Sequence, residues 1–492
     1  MMDGFSAAAL LTFLCISYII MCFVKIFKEK SKLPPGPTPL PFIGNLLQID
    51  TNNIVKSLNK LQDKYGPVFT LYFGPNPGLV LCGYKAIKEA LIDQADEFSE
   101  RGDYPVFLNY YNNHDIAFSN GEHWKTLRRF ALTTLRNFGM GKRSIEERIQ
   151  EEASFLIDEL TNTKGSPSDL TKYFSRTVAN VISSIIFGSR FDYRDERLKK
   201  IIDSVYNNFR IMSSMWGALY NMYPGLMDRL PGPHCQMRRN FEDITVIAKE
   251  CIKHHKETLD PNCPRDYIDC FLIKMKEDIP DPAFYDEALL MSIHNLIFGG
   301  TETVSTTLRY GTLMLMKYPE VAARMQEEIE QVVGRDRSPC MEDRIKMPYT
   351  DATIHEIMRF CDVLPLSLPR CTSRDMLYKG YKLPKGTHVS LFLSSVLHDA
   401  TRFEEPLNFN PHHFLDESGR LKRDDAFMPF SAGKRICLGE TLARMELFIL
   451  FTSLLQNFTF KPVIAKEEIK MEPTGSGLGN MPMEYLCCVT PR

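Results

Sequence analysis

A cysteine between two glycines, at the start of a long apolar helical pattern, constrains this 492-residue chain more than any other feature. Cys437 follows Gly433 and precedes Gly439, and apolar residues at helical spacing then continue through ETLARMELFILFTSLL (440–455). A thiol at a helix N-terminus meets free backbone N–H groups, which lower its pKa and favour the thiolate. Because the glycines carry no side chains, a flat cofactor can approach the backbone. The stretch predicts a thiolate ligand at a cofactor site.

Helical spacing of apolar residues dominates the middle of the chain, from about residue 122 to residue 318. Near the N-terminus, VFTLYFG (68–74) and GLVLCGY (78–84) predict two paired strands, because both are rich in β-branched and aromatic residues. Short strand-like pieces return at 377–393, where glycines mark turns, and in the last thirty or so residues. We therefore predict a mainly α fold with a minor β part, in one large domain.

The N-terminus carries a possible membrane span. Residues 4–24 (GFSAAALLTFLCISYIIMCFV) include no charge, and their length approaches the roughly 20 residues that cross a bilayer. Four lysines follow this run within residues 25–32 and only Asp3 precedes it, which predicts a cytosolic location for all that follows. A cleaved signal peptide fits less well, because it requires a basic N-terminal flank and a shorter apolar run. We expect an uncleaved single-pass anchor.

Proline spacing and composition complete the domain division. The run PPGPTPLP (34–41) cannot continue a helix and predicts a stiff, extended linker. The predicted division is an anchor at 1–30, a proline-rich linker at 31–42 and a catalytic domain at 43–492.

The net charge of −2 disfavours nucleic-acid binding, and 13 scattered cysteines without CxxC pairs indicate a reducing compartment rather than a zinc site.

Two helical segments carry further polar residues. Glu356 and Arg359 are three residues apart and share one helix face, where they can pair, although most such pairs are ordinary surface ion pairs. Gly299-Gly300-Thr301-Glu302-Thr303 interrupts a long helical pattern with residues of low helix propensity. Something other than helix stability should favour them there, although a kinked core helix is the alternative.

The cysteine stretch resembles the haem-binding signature of the cytochrome P-450 superfamily. Phe430-x-x-Gly433-x-Arg435-x-Cys437-x-Gly439 matches all five fixed positions of that signature. The resemblance extends over essentially the whole chain and is closest to the vertebrate microsomal branch, on stretches such as FSNGEHWKTLRRF (118–130). It implies a haem-thiolate domain behind an N-terminal transmembrane helix, with haem b held by the Cys437 thiolate. The endoplasmic reticulum membrane is the implied location.

The resemblance also assigns roles to individual residues. Thr303 and Glu302 resemble the oxygen-binding groove, where they would manage protons, with the small Gly299 beside them. Glu356 and Arg359, with His413 of the Pro-x-x-Phe segment, would lock the loop that leads to the cysteine. The residues implied to bind the cofactor are Trp124, Arg128, Arg370, Arg435, Arg101, Phe430, Gly433 and Gly439. The residues implied to line the substrate pocket are Phe107, Ala117, Phe118, Phe298, Gly299, Leu366 and Leu368.

The reaction implied by this resemblance is insertion of one oxygen atom from O2 into a lipophilic substrate, by hydroxylation or epoxidation of fatty acids, steroids or xenobiotics. No dinucleotide-binding glycine fingerprint follows a strand, so electrons should come from a separate NADPH-dependent flavoprotein reductase, with a small haem protein as a further candidate donor. We expect this reductase to dock on a basic face that comprises Lys125, Arg129, Arg136, Lys142 and Lys434. The alternatives are a haem-thiolate isomerase or dehydratase of lipid hydroperoxides, and a non-enzymatic membrane haem sensor.

Overall fold

A computed structural model describes residues 32–492 of the chain, except 51–52, 138–142 and 280, together with the separate residues 13, 14, 17 and 21. The predicted span at 4–24 lies almost entirely outside the described residues. Within the part of the chain that is described, no helix is both long and apolar enough to cross a membrane.

The described residues confirm the mainly helical fold with small sheets. In chain order, the α-helices are α1 (Ile54–Tyr65), α2 (Gly83–Lys88), α3 (Pro105–Tyr111), α4 (Gly121–Asn137), α5 (Arg143–Thr161), α6 (Thr171–Phe187), α7 (Glu196–Met212), α8 (Met215–Met222), α9 (Pro224–Met227), α10 (His234–Thr258), α11 (Tyr267–Met275), α12 (Asp286–Lys317), α13 (Pro319–Val332), α14 (Pro348–Cys361), α15 (Ser394–Leu397) and α16 (Glu440–Asn457). The helices predicted within 144–160, 291–308 and 440–455 are confirmed as parts of α5, α12 and α16.

The long helix α12 passes through the main core. Asp286 and Glu287 in its first turn and Lys317 in its last complement the helix dipole. Of its 32 residues, 24 are buried, and it packs against α6, α7, α14 and α16. A helix that is apolar on most faces must lie inside a domain. The Gly299 segment therefore lies in the interior of the protein.

The largest sheet has the strand order β1-β2-β6-β3. Its strands are β1 (Val68–Phe73), β2 (Asn76–Cys82), β3 (Arg370–Cys371) and β6 (His388–Phe392), and the short hairpin β4 (Met376–Tyr378) with β5 (Tyr381–Leu383) precedes β6. β2 is antiparallel to β1 and parallel to β6, and β3 is antiparallel to β6. The predicted pairing of the first two strands is confirmed, although β2 begins at Asn76 and its expected last residues, Gly83 and Tyr84, belong to α2.

The C-terminal residues form further strands, as predicted. They are β7 (Phe458–Pro462), β8 (Gly475–Ser476), β9 (Asn480–Met481) and β10 (Cys487–Pro491). β7 pairs with β10 and β8 pairs with β9, both antiparallel. The predicted turns at Gly380 and Gly386 are also present, with φ of +85° and +80°.

The proline-rich run at 34–41 packs along the edge of β1. Thr70 in β1 donates its backbone N–H to the carbonyl of Pro35 (2.9 Å) and its hydroxyl to the carbonyl of Pro34 (2.9 Å). A Cβ atom at Gly36 would lie 2.1 Å from the Thr70 carbonyl oxygen, so only glycine allows this approach. The run is thus docked on the sheet and does not extend freely as a spacer.

Candidate active site

The cysteine loop, residues 427–439, packs against the turn at Glu89–Asp93. Gly433 has a φ of +70°, and a Cβ atom there would lie 2.0 Å from the carbonyl oxygen of Leu91. The loop then closes with the Cys437 N–H donating to the carbonyl of Phe430 (3.0 Å). Packing against Leu91 therefore explains the glycine at 433, which we had attributed to a cofactor. At Gly439, by contrast, an added Cβ would meet no atom within 4 Å.

The Cys437 thiol lines an internal space. Part of the Cys437 surface is accessible, although the surrounding protein atoms remove the thiol from bulk water. This combination arises where a side chain opens into a cavity. Burial raises the pKa of the Cys437 thiol above its ordinary value, and the N–H groups of Gly439 and Glu440 lower it by less. The helix-end N–H groups lower this pKa as expected, but desolvation has the larger effect. A bound cation would reverse this balance.

The Thr303 turn of α12 also borders open space. Gly299 is exposed in the middle of an otherwise buried helix, and an added Cβ would meet no atom within 4 Å. The Thr303 hydroxyl donates to the Gly299 carbonyl (2.8 Å). Gly300 has a different function, because its Cβ would lie 2.3 Å from Cγ1 of Ile182 in α6. Gly299 thus leaves a groove, whereas Gly300 allows close packing of α6 and α12.

Glu302 is a buried acid that directly precedes Thr303 in α12. Its carboxylate accepts a hydrogen bond from the Thr306 hydroxyl (2.9 Å), and Arg309 lies two turns further along α12. Burial raises the pKa of Glu302 to about 7, against the opposing effects of Arg309 and Thr306. A carboxyl with a pKa near neutrality can release and recover a proton at physiological pH.

Four guanidinium groups meet next to the cysteine loop. Burial is the largest cause of a lowered pKa in each of them. In the three most buried groups, repulsion from other members of the set lowers the pKa further. The four residues are Arg101, Arg128, Arg370 and Arg435. Such a concentration of positive charge is unfavourable unless anions occupy the same region.

Two buried N–H groups in this cluster have no hydrogen-bond partner. They are Nε1 of Trp124 and Nε of Arg370. The Trp124 ring lies 3.5 Å from the guanidinium carbon of Arg435, and Arg128 donates to the carbonyl of Ile436 (2.6 Å), which directly precedes the cysteine. Buried polar groups are normally paired, so these donors indicate a ligand with acceptor oxygens. Haem, with two carboxylates and an iron that binds thiolate, fits this set.

Sequence reasoning missed the residues that hold the arginines in place. The Asn120 side-chain oxygen accepts hydrogen bonds from the Arg101 backbone N–H (2.7 Å) and from the Arg435 guanidinium (2.9 Å). Asp115 is fully buried, and burial raises its pKa to about 6 although both arginines lower it. Asn120 lies in the stretch that carried the family resemblance, but no spacing rule distinguishes Asn120 or Asp115 from other polar residues.

The residues implied to line the substrate pocket divide into two groups. Phe107 stacks on Phe118 with ring centroids 4.0 Å apart and meets Phe298 edge-on at 6.1 Å. Ala117 and Leu368 pack against the same main core. Leu366 instead packs against the cluster at β1, β2 and α1, and it lines a cavity on that side.

The Glu356–Arg359 pair is completely buried in α14. Two guanidinium nitrogens of Arg359 each donate to one Glu356 oxygen at 2.7 Å. Arg359 also donates to the carbonyls of Leu397 (2.8 Å) and Pro406 (2.9 Å). Nδ1 of His413 lies 3.2 Å from both carboxylate oxygens. The three residues that the sequence placed together are therefore in contact.

The expected basic face carries less unpaired positive charge than its sequence suggests. Lys125 pairs with Glu122 (2.6 Å), and Lys434 pairs with Asp96. Arg129 and Arg136 are exposed on α4, and Lys142 lies outside the described residues. Reductase docking on this face stays a prediction.

The chain is similar to known proteins over nearly its whole length. The family model for cytochrome P450 matches residues 34–489. The chain is 54% identical to cytochrome P450 2F2 of Rattus norvegicus and 51% identical to cytochrome P450 2F1 of Homo sapiens, in both cases over 493 residues and 100% of each chain. It is 51% identical to cytochrome P450 2C5 of Oryctolagus cuniculus over 481 residues, 97% of this chain and 99% of that protein.

Proposed function

Since the chain belongs to the cytochrome P450 family, and is thus a haem-thiolate monooxygenase of lipophilic substrates, we propose that the Cys437 thiolate would bind the iron of its haem. When bound, such a haem supplies the activation of O2 that oxygen insertion requires. The observation that carries the assignment is the set of buried, unpaired donors and crowded guanidinium groups next to the cysteine loop. Loss of the thiolate-type absorption band of the reduced carbon-monoxide complex on replacement of Cys437 tests this ligand.

The arginine cluster would hold the haem carboxylates. We propose that Arg101, Arg128, Arg370 and Arg435 neutralise them and that the Trp124 N–H donates to one. Phe430, Gly433 and Gly439 shape the loop on the cysteine side of the cofactor, with Gly433 acting through its contact with Leu91. Phe107, Ala117, Phe118, Phe298, Gly299 and Leu368 would form the apolar wall on the substrate side, while Leu366 would contact the substrate further out.

Thr303 and Glu302 would control the protons that oxygen activation consumes. The Thr303 hydroxyl, held by the Gly299 carbonyl, can turn to the groove and donate there. Glu302, buried and with its pKa raised to about 7, can resupply the proton. Both side chains belong to α12, so the helix fixes their separation.

Replacing Thr303 with alanine should divert electrons from product into peroxide or water. We expect the product formed per NADPH to fall about three- to ten-fold, which is less than the roughly 100- to 10,000-fold effect of general acid–base groups because water can replace part of the relay. The measurement is product and NADPH consumption in the presence of reductase. Thr312→Ala is the matched control, since Thr312 makes the same kind of bond, to the Leu308 carbonyl (2.9 Å), further along α12.

The proton role of Glu302 should appear as a pH dependence. Burial raises the pKa of Glu302 to about 7, so its protonated fraction decreases as the pH rises through 7. Product per NADPH should therefore fall between about pH 6 and pH 8 in the parent enzyme and lose this dependence in Glu302→Gln. The same ratio and pH dependence in the parent, Thr303→Ala and Glu302→Gln would contradict the proposal.

Electron supply and location follow from the family. Its members require a redox-partner reductase, and we propose an NADPH-dependent flavoprotein, because the chain has no dinucleotide fingerprint of its own. We also propose that residues 1–30 anchor the enzyme in the endoplasmic reticulum membrane, with the domain at 43–492 in the cytosol and the segment at 31–42 between them. The support is the uncharged run at 4–24 and the lysines after it. Protease added to sealed microsomes should digest the domain, and complete protection would reverse this topology.

The hydroperoxide isomerase and the haem sensor are not favoured. Relatives that match over 97–100% of the chain include cytochromes P450 of the 2F, 2G and 2C groups. Neither alternative needs a buried acid with a pKa near neutrality next to Thr303. A fall in the product formed per NADPH in Thr303→Ala would therefore best distinguish the monooxygenase from these two alternatives.

A further inference from the structure

A cavity of about 190 Å³ lies between the four-stranded sheet and the helix pair α7–α8. Its wall comes from several segments that are distant in sequence, among them Phe73 of β1, Met212 of α7, Leu366, and Leu478 between β8 and β9. Pro369, which directly precedes Arg370 of the arginine cluster, also lines it. The cavity is therefore adjacent to the proposed cofactor site.

Asp103 is the one acidic residue among the described residues that line this cavity, and neither lysine nor arginine is present among them. Its side chain is exposed, and none of the ion pairs found among the described residues involves it. Asp103 lies two residues after Arg101, so their Cα atoms are at most about 7 Å apart. A carboxylate without a partner at a mostly apolar wall gives the cavity a net negative charge.

No lysine or arginine of the cavity lining compensates this charge. His388 lines the same wall, and burial lowers the pKa of its imidazole, against the effect of Asp103. The ring is therefore neutral at physiological pH. Tyr104 and Phe73 add aromatic faces to the lining. A carboxylate with aromatic rings is a set of groups that attracts cations, and quaternary ammonium ligands in particular.

We propose that this cavity receives the cationic group of lipophilic ammonium compounds and that Asp103 selects them over anionic and neutral molecules of the same shape. The proposal rests on the proposed function, because it names the substrate class of that monooxygenase. An apolar wall binds the hydrocarbon part of such a molecule in any charge state. Discrimination by charge therefore depends on Asp103.

The test compares two probes that differ only in charge. One is phenylbutyl-trimethylammonium, whose nitrogen cannot coordinate iron, and the other is its isostere with carbon in place of that nitrogen. Equilibrium dialysis against the full-length haem-bound protein gives both dissociation constants. We expect Asp103→Asn to weaken binding of the cation about three- to ten-fold relative to binding of the isostere, because the substitution removes one partly solvated charge pair. High salt should reduce this difference.

Asp63→Asn is the matched control, because Asp63 is also exposed and lies on α1, whose first residue, Ile54, lines the cavity. In Asp63→Asn, the ratio of the affinity for the cation to the affinity for the isostere should equal the ratio in the parent. Asp103→Lys should shift the preference towards phenylhexanoate, an anion. An affinity ratio in Asp103→Asn within twofold of the parent would overturn the proposal. The carbon-monoxide spectrum of the parent tests the cysteine ligand separately, so failure of one assignment is distinguishable from failure of the other.

Discussion

Replacing Cys437 with alanine or histidine should abolish the thiolate-type absorption band of the reduced carbon-monoxide complex, together with monooxygenation. Thiolate donation sets the electronic character of the iron and promotes O–O cleavage, and neither an imidazole nor a water ligand supplies it. We expect product formation to fall at least about 100-fold, which corresponds to about 2.7 kcal/mol in activation free energy. The measurements are the spectrum and the turnover with reductase and NADPH.

Cys371→Ala is the matched control for the ligand. Cys371 is a buried thiol in β3, directly after Arg370 of the arginine cluster. Its removal tests whether loss of any thiol near this cluster disturbs haem, and we expect the thiolate band to remain. Cys437→His should still bind some haem, because the guanidinium groups are unchanged, but with an imidazole-type spectrum. A thiolate-type band that survives in either Cys437 variant would refute the assignment.

The sequence predicted the features that depend on local pattern. The helical spacing around Gly299 gave the interior helix α12, and the β-branched run at 68–74 gave β1. The Glu356–Arg359 spacing gave a pair on one face, since residues three apart in a helix are neighbours. In each case the cause lies within a few residues along the chain. The family resemblance then added the third partner, His413.

The features that the sequence did not explain depend on contacts between distant segments. Gly433 is required by the carbonyl of Leu91, and Gly300 by the side chain of Ile182, so neither cause is visible near the glycine in the sequence. The start of α16 seemed to favour a Cys437 thiolate, but the pKa responds to burial by the whole fold. Asp115 was missed for the same reason, because its burial arises from tertiary packing.

The contribution of the buried Glu356–Arg359 pair to stability is the second large effect that we expect. Both side chains are 0% exposed, and Glu356 also accepts the backbone N–H of Asn410 (2.9 Å), which orders the segment before His413. Glu356→Ala leaves the Arg359 guanidinium buried with carbonyl acceptors only. Removal of one partner from a buried pair costs about 3–5 kcal/mol, because the remaining charge stays desolvated.

Folded domains are stable by only about 5–15 kcal/mol, so a loss of about 3–5 kcal/mol should remove a large fraction of the free energy of unfolding in Glu356→Ala. Urea unfolding, followed by both helical signal and haem absorbance, measures the loss. Glu122→Ala is the matched control, because Glu122 and Lys125 have the same spacing at 2.6 Å but side chains that are 85% and 50% exposed. An exposed pair contributes up to about 1 kcal/mol, so this variant should unfold close to the parent. A loss in Glu356→Ala no larger than that in Glu122→Ala would show that the buried pair does not hold the segment that leads to Cys437.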